Sequence, residues 1–233
     1  MGTPSWLRSF HSHVPTAAIP PDVRDYVEHA IARVIRGPVP YRDFALAVDG
    51  GYVIGELTVP LGSPCPPGIF CPTSPLNAIL EDVRIGQCWF VQRTHCQLGL
   101  ALPAQVRPTF VSVEHIPKEL AANPGQAPRR MVLWGVVEGN ENNVRYDEYL
   151  SFQDARTSGR DAPPQTTDEA RWVIISDFTY DINARHHIQT FSIAQSIRQS
   201  NLQFGIVVLE VMDNWGAESL CLYRVCIHGD PDR

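Results

Sequence analysis

The chain lacks any apolar run long enough to cross a bilayer. Residues Met1 to His13 also lack the apolar stretch of a secretory signal. If the protein works at a membrane, its anchor is therefore expected upstream of these residues. An excess of basic charge is missing too. The formal net charge is −6 and the pI is near 5.7, so no cationic face for nucleic acid is indicated. No C-x-x-C pair occurs, which argues against a zinc ribbon or a thioredoxin-type site. The sequence has no G-x-S-x-G, P-loop, H-E-x-x-H or G-x-G-x-x-G. Its eight histidines do not fall at metal-ligand spacing. Nothing in this inventory supports catalysis, and the chain reads as a non-enzyme.

What is present points to a folded binding module. At 233 residues with 44% hydrophobic content, the chain favours one large domain with short appendages. Twenty prolines spread along it mark many short elements separated by turns. Residues 1–19 show no clear period and read as a flexible segment. Pro20-Pro21-Asp22 opens a helix over 20–37, which Gly37-Pro38 closes. Val23, Val27, Ala30 and Val34 follow an alternating four-three spacing. That is a coiled-coil-like seam about two heptads long. An ordinary amphipathic helix docked on its own domain fits the pattern equally well.

Beyond Tyr41 the pattern becomes strand-like. Strands are predicted at Tyr52–Val59, Trp89–Arg93, Cys96–Leu102, Thr109–His115, Met131–Val137, Tyr146–Phe152, Trp172–Thr179, Ile188–Ile193, Gly205–Met212 and Leu220–His228, with a short helix at Ala194–Ser200. Val111 and Val113 alternate with Ser112 and Glu114, which predicts one buried and one solvated face. Ten short strands without long helices predict a mainly β fold, a compact jelly-roll-like β-sandwich. Trp89, Trp134, Trp172 and Trp215 are expected in or near the core. The stretch 153–170 is polar and reads as an exposed insertion. Pro60 to Pro75 combines Pro60, Pro64, Pro66, Pro67 and Pro72 with Leu61, Ile69, Phe70, Cys65 and Cys71. A long apolar loop either folds back on the core or covers a partner. Six cysteines permit disulfides without requiring them, and free core thiols fit equally well.

A set of short strings, in order, narrows the reading. They are Tyr41-Arg42-Asp43-Phe44-Ala45-Leu46, Gly50-Gly51, Gly86-Gln87-Cys88-Trp89, Arg107-Pro108-Thr109 and Val111-Ser112-Val113-Glu114-His115-Ile116-Pro117-Lys118. Then come Ala127-Pro128-Arg129, Gln189-Thr190-Phe191, Asn214-Trp215-Gly216, Cys221-Leu222-Tyr223-Arg224-Val225 and Ile227-His228-Gly229. Each is weak alone, but their order and spacing resemble the SUN domain over 38–230. The preceding helix resembles the end of that family's coiled-coil stalk. The excursions around 139–147 and 153–170 look more like fungal members than animal ones.

The resemblance implies a tether in the inner nuclear membrane, part of a LINC complex, with this domain facing the perinuclear space. It implies a homotrimer of the full-length protein that binds the C-terminal KASH peptide of an outer-nuclear-membrane protein. A carbohydrate-binding jelly-roll module is the alternative. Residue by residue, Cys88 and Cys221 match the family's disulfide pair. The turn 77–87 matches its cation loop, where backbone carbonyls of Asn77, Leu80, Asp82, Gln87 and Tyr223 would hold a monovalent ion, expected to be potassium. The region 57–73 matches the lid that clamps the peptide, with Leu57, Ile69 and Phe70 as contacts. Here the lid is shorter and richer in proline, and Cys65 and Cys71 are placed to bond to each other at its tip. His115 and Tyr223 match two positions of the peptide-carboxylate pocket. Gln126 and Ser219 stand where animal members usually carry serine and tyrosine, which puts carboxylate capture in more doubt than peptide binding.

Overall fold

One long strand organises the molecule. In a computed structural model, which describes residues 23–24, 41–60, 74–152, 163 and 170–231, β3 runs from Cys96 to Glu114 and changes partners halfway. Its first half, Cys96–Ala101, lies between β1 (Tyr52–Val59) and β7 (Phe204–Val211). Its second half, Val106–Glu114, lies between β6 (Ile188–Ser192) and β9 (Arg224–Pro231). The sheet continues from β7 to β4 (Arg130–Val137) and β5 (Arg171–Thr179), giving the order β1-β3-β7-β4-β5 with all pairings antiparallel. A separate ribbon joins β2 (Trp89–Val91) to β8 (Leu220–Leu222).

The sequence pattern predicted two strands where β3 is one. Pro103 and Pro108 prompted the break, because proline removes a ladder donor. Both sit at register irregularities instead. Between Ala101 and Val106 the strand outruns its β7 partner, and residues 103–105 stand exposed. A second shift falls between Pro108 and Phe110 opposite β9. Such bulges let a strand pass from one layer of a sandwich to the other.

The core fills the space between the layers. Leu98, Leu100, Met131, Leu133, Val207 and Leu209 come from the first layer, and Val111, Val113, Val225 and Ile227 from the second. Trp89 and Leu222 of the ribbon join them. On the first layer's opposite face, Val132, Trp134, Val136, Trp172 and Val208 form a second buried cluster. β4 is therefore apolar on both faces, as its near-continuous hydrophobic sequence requires. The expected tryptophan positions hold, with Trp215 packed at the core's edge.

The strand predicted over Leu220–His228 is two, β8 in the ribbon and β9 in the main sheet, and two further sequence expectations are corrected. Tyr146–Phe152 is not a strand but the end of helix α1 (Asn140–Phe152). The spacing of Tyr146 and Tyr149 is helical, and both rings pack on the core. Asn142 fastens the helix by bonding both the carbonyl and the amide of Gln203. The second correction concerns Ser112 and Glu114. Their face of β3 is not solvated: Ser112 is buried and Glu114 half-buried. The segment Tyr41–Leu46 runs over it as a strap, with Tyr41 stacked on Phe110 and Asp43 bonded to Arg224. The predicted short helix is present as α2 (Gln195–Ser200).

The chain divides into units 1–40 and 41–233. In the first, Val23 and Arg24 are helical. The rest of the predicted stalk-end helix, the 1–19 segment, residues 61–73 of the lid with Cys65, Ile69, Phe70 and Cys71, and nearly all of the 153–170 insertion lie outside the described residues.

Candidate functional site

Cross-strand register brings the first pair of expected site residues together. Glu114 of β3 faces Arg224 of β9, so the next positions, His115 and Tyr223, also fall side by side. Their rings meet edge to face with centroids 4.8 Å apart. Tyr180 closes the other side of His115 at 6.0 Å. His115 is 5% exposed; its Nδ1 lies 3.0 Å from the Ile116 carbonyl, and its Nε2 has no protein partner. Burial pushes the imidazole below its ordinary pKa, with the neighbouring His187 adding in the same direction, so His115 stays neutral near pH 7. With Nδ1–H donating to the carbonyl, Nε2 is left as an acceptor.

Tyr223 is held from its far end. Its hydroxyl accepts a 3.1 Å bond from the Gly86 amide, and burial raises the phenol's pKa. Gly86 has φ +84°, a conformation that glycine supplies without strain. The Cys88–Cys221 disulfide spans 133 residues and staples the start of β2 to β8, as the resemblance implied. Cys96 and Cys226 are free, buried thiols.

Gln126 and Ser219 form a second pair. The Gln126 amide donates to the Ser219 hydroxyl at 2.7 Å. Asn123 caps the short turn Pro124–Gln126. Asn214 bonds the carbonyls of Ala217 and Ser219 and the amide of Gly216, which accounts for the Asn214-Trp215-Gly216 string. The two pairs stand at opposite ends of β8, and no hydrogen bond joins them. Ser219 retains its own hydroxyl proton for a ligand.

The turn 77–87 is closed at its ends by Asn77 Nδ2 donating to the Cys88 carbonyl and by Gly86 donating to Tyr223. The Asp82 carboxylate is bound by the Arg84 guanidinium, which holds its pKa down to about 2. That side chain is therefore occupied, whereas the carbonyls of Leu80 and Asp82 accept no hydrogen bond from any described residue. Free carbonyl oxygens in a pinned turn are the donor set that a weakly hydrated monovalent cation takes. Among the described residues, no three His, Cys, Asp or Glu side chains gather as a metal cluster.

Leu57, expected at the peptide, is packed at the lid's base. It is half-buried against the second cluster, over Gly99, where an added Cβ would come within 2.3 Å of the Leu57 Cβ. Thr58 fills the β1 bulge by bonding the Ile54 carbonyl and the Gly99 amide. Two site residues escaped sequence reasoning. Tyr180 is buried, bonds the His187 carbonyl at 2.8 Å, and has its pKa pushed up to about 12 by burial, with Asp181 adding to it. Trp215 donates to the Tyr180 carbonyl at 3.1 Å. Only the Asn214-Trp215-Gly216 string signalled this neighbourhood.

The antiparallel β-sandwich, the disulfide-stapled ribbon and the His115–Tyr223 contact agree with the SUN-type fold that the ordered strings implied. The family described as Sad1 / UNC-like C-terminal matches residues 72–158 and 151–231, and the chain belongs to it. SUN domain-containing protein 2 of Mus musculus is 29% identical over 161 residues, covering 68% of this chain and 18% of that protein. SUN domain-containing protein 1 of Homo sapiens is 28% identical over 161 residues, covering 68% and 17%. Nuclear migration and anchoring protein unc-84 of Caenorhabditis elegans is 26% identical over 146 residues, covering 62% and 10%. The chain thus spans less than a fifth of these relatives' length. Among solved structures, the family 32 carbohydrate-binding module of Streptococcus pneumoniae EndoD aligns at TM-score 0.49 and 9% identity, over 81% of this chain and all of that one. Allantoicase from Saccharomyces cerevisiae aligns at TM-score 0.46 and 12% identity, over 82% and 43%.

Proposed function

We propose that this domain is the lumenal end of a nuclear-envelope tether that binds the C-terminal KASH peptide of an outer-nuclear-membrane protein. The observation that supports this reading most is the His115–Tyr223 pair, set beside the disulfide-stapled ribbon in a chain of this family. The Ser219 hydroxyl and the Gln126 amide supply donors for a peptide end, and the buried, neutral His115 ring backs Tyr223. In this reading the lid beyond Leu57 adds strand to the peptide. Backbone bonds then give affinity and side-chain pockets give specificity. The peptide carboxylate is received more loosely than in animal members, because Gln126 and Ser219 bond to each other first.

In the same reading the domain sits in the perinuclear space, anchored through an upstream segment in the inner membrane, and forms a homotrimer on its stalk. Three weak sites on one stalk engage a clustered partner with avidity well above one contact. A potassium ion held by the carbonyls of Asn77, Leu80, Asp82, Gln87 and Tyr223 would stiffen the turn behind Tyr223. No catalytic step belongs to this reading.

The test is light scattering of the full chain with and without a synthetic KASH tail. The expected outcome is a rise in mass by whole peptide equivalents. A folded protein that gains no mass at high-micromolar peptide, or that instead binds glycans saturably, contradicts the proposal.

A further inference from the structure

Beside the pocket lies an ion cluster that peptide binding does not account for. Arg224 bonds Asp43 at 2.9 Å and lies 3.5 Å from Glu114. All three side chains are largely withdrawn from water, at 15%, 8% and 13% exposure. The Cys226 thiol lies against Glu114 at 3.5 Å. Asp43 does more than pair: its Oδ1 accepts from the amides of Ala45 and Ile227. Strap and strand are knit further by the Phe44 amide on the Ile227 carbonyl at 2.8 Å and by His228 Nδ1 beside the Arg42 carbonyl at 3.1 Å. A buried cluster of this kind is poor evidence for stability, since desolvation offsets much of the attraction, but it fixes geometry closely. What it fixes here is informative. Glu114 and Arg224 are the cross-strand pair immediately before His115 and after Tyr223. Asp43 follows Pro40, the last residue of the first unit, by only three positions.

The geometry points to Asp43, Arg224 and Glu114 as positioning residues for the peptide pocket: the strap's carboxylate clamps Arg224, and Arg224 with Glu114 sets the spacing of Tyr223 and His115. None of the three touches the peptide. The inference rests on the peptide-binding reading for its consequence, but its structural half can be tested without any peptide.

The test uses the full chain and the substitution Asp43→Asn. Asparagine keeps an oxygen for the Ala45 and Ile227 amides and replaces the charged acceptor facing Arg224 by an amide donor, so the strap's backbone bonds survive while the Arg224 bond is lost. Glu114→Gln is the second variant, should Asp43→Asn fold poorly. Amide hydrogen exchange is read first. The Gly86 and His115 amides, bonded to the Tyr223 hydroxyl and the His187 carbonyl, are expected to exchange about tenfold faster, the scale of one lost charge-assisted bond. Amides of β7 should be unchanged, and Asp43→Glu should restore part of the protection. A synthetic KASH tail is then titrated, with an expected loss of affinity of about tenfold, mostly in the off-rate. Folded variants that keep full protection at Gly86 and His115 overturn the inference. So does faster exchange at those amides with peptide affinity unchanged. If the unaltered protein ignores the peptide, the functional reading fails, while the exchange measurement still decides the positioning role.

Discussion

The two halves of β3 have the same backbone and opposite tasks. Cys96–Ala101 is flanked by apolar strands in the five-stranded layer, and its side chains are buried. Val106–Glu114 buries only its inner residues in apolar contacts. Its other face carries Ser112 and Glu114, which are covered yet polar and satisfied by Thr190, His228 and Arg224. The first half is held by packing, which is strong and undirected. The second is held by directed bonds, which contribute less net stability but specify where each group sits. The candidate site lies at the end of the second half. A site whose side chains must stand at fixed spacing needs the directed kind of support.

The largest effect expected from breaking this contrast is on the first half. Leu98→Ala removes a fully buried side chain and should cost about 2–5 kcal/mol in denaturant unfolding. Peptide affinity of the remaining folded protein should be unchanged. Next comes the staple. Replacing both Cys88 and Cys221 with alanine should cost about 2–4 kcal/mol. Unlike Leu98→Ala, it should loosen the amides around Gly86 and Leu222 more than those of β7 in hydrogen exchange. A smaller loss, about 1 kcal/mol by thermal melting, is expected from Ser112→Ala, which cuts the Thr190–Ser112–His228 chain.

The last prediction sharpens the comparison through pH. Tyr180 should ionise near 12 rather than near 10 in an ultraviolet titration. Because its folded pKa is raised, the stability it contributes is fully present below pH 10 and is lost as pH rises toward 12. An early-titrating Tyr180 would mean that the wall beside His115 is open to water.

Much of the fold could be read from alternation and turn residues, because β4, β5 and β7 carry apolar runs that suit a buried strand. The continuity of β3 could not. Pro103 and Pro108 look like breaks until their partners' register is known. Over α1 the sequence misleads because Tyr146, Leu150 and Phe152 alternate at short range, while the packing uses Tyr146 and Tyr149. The solvated face assigned to Ser112 and Glu114 failed for a similar reason: polarity says that a group needs partners, not that the partner is water. At the site, His115, Tyr223 and the Cys88–Cys221 bond were legible only through the family's strings, since their partners lie more than a hundred residues away. Tyr180 carried no local signal. Its role follows from a strand end that only the assembled sandwich brings to His115.

The most direct test of the account is a hydrogen-exchange footprint of the full chain with a saturating synthetic KASH tail. The account predicts new protection at His115–Lys118 and at Leu220–Arg224, together with the lid's base near Leu57. Protection confined to other surfaces, such as the groove between α1 and α2, with these segments unchanged, would contradict it.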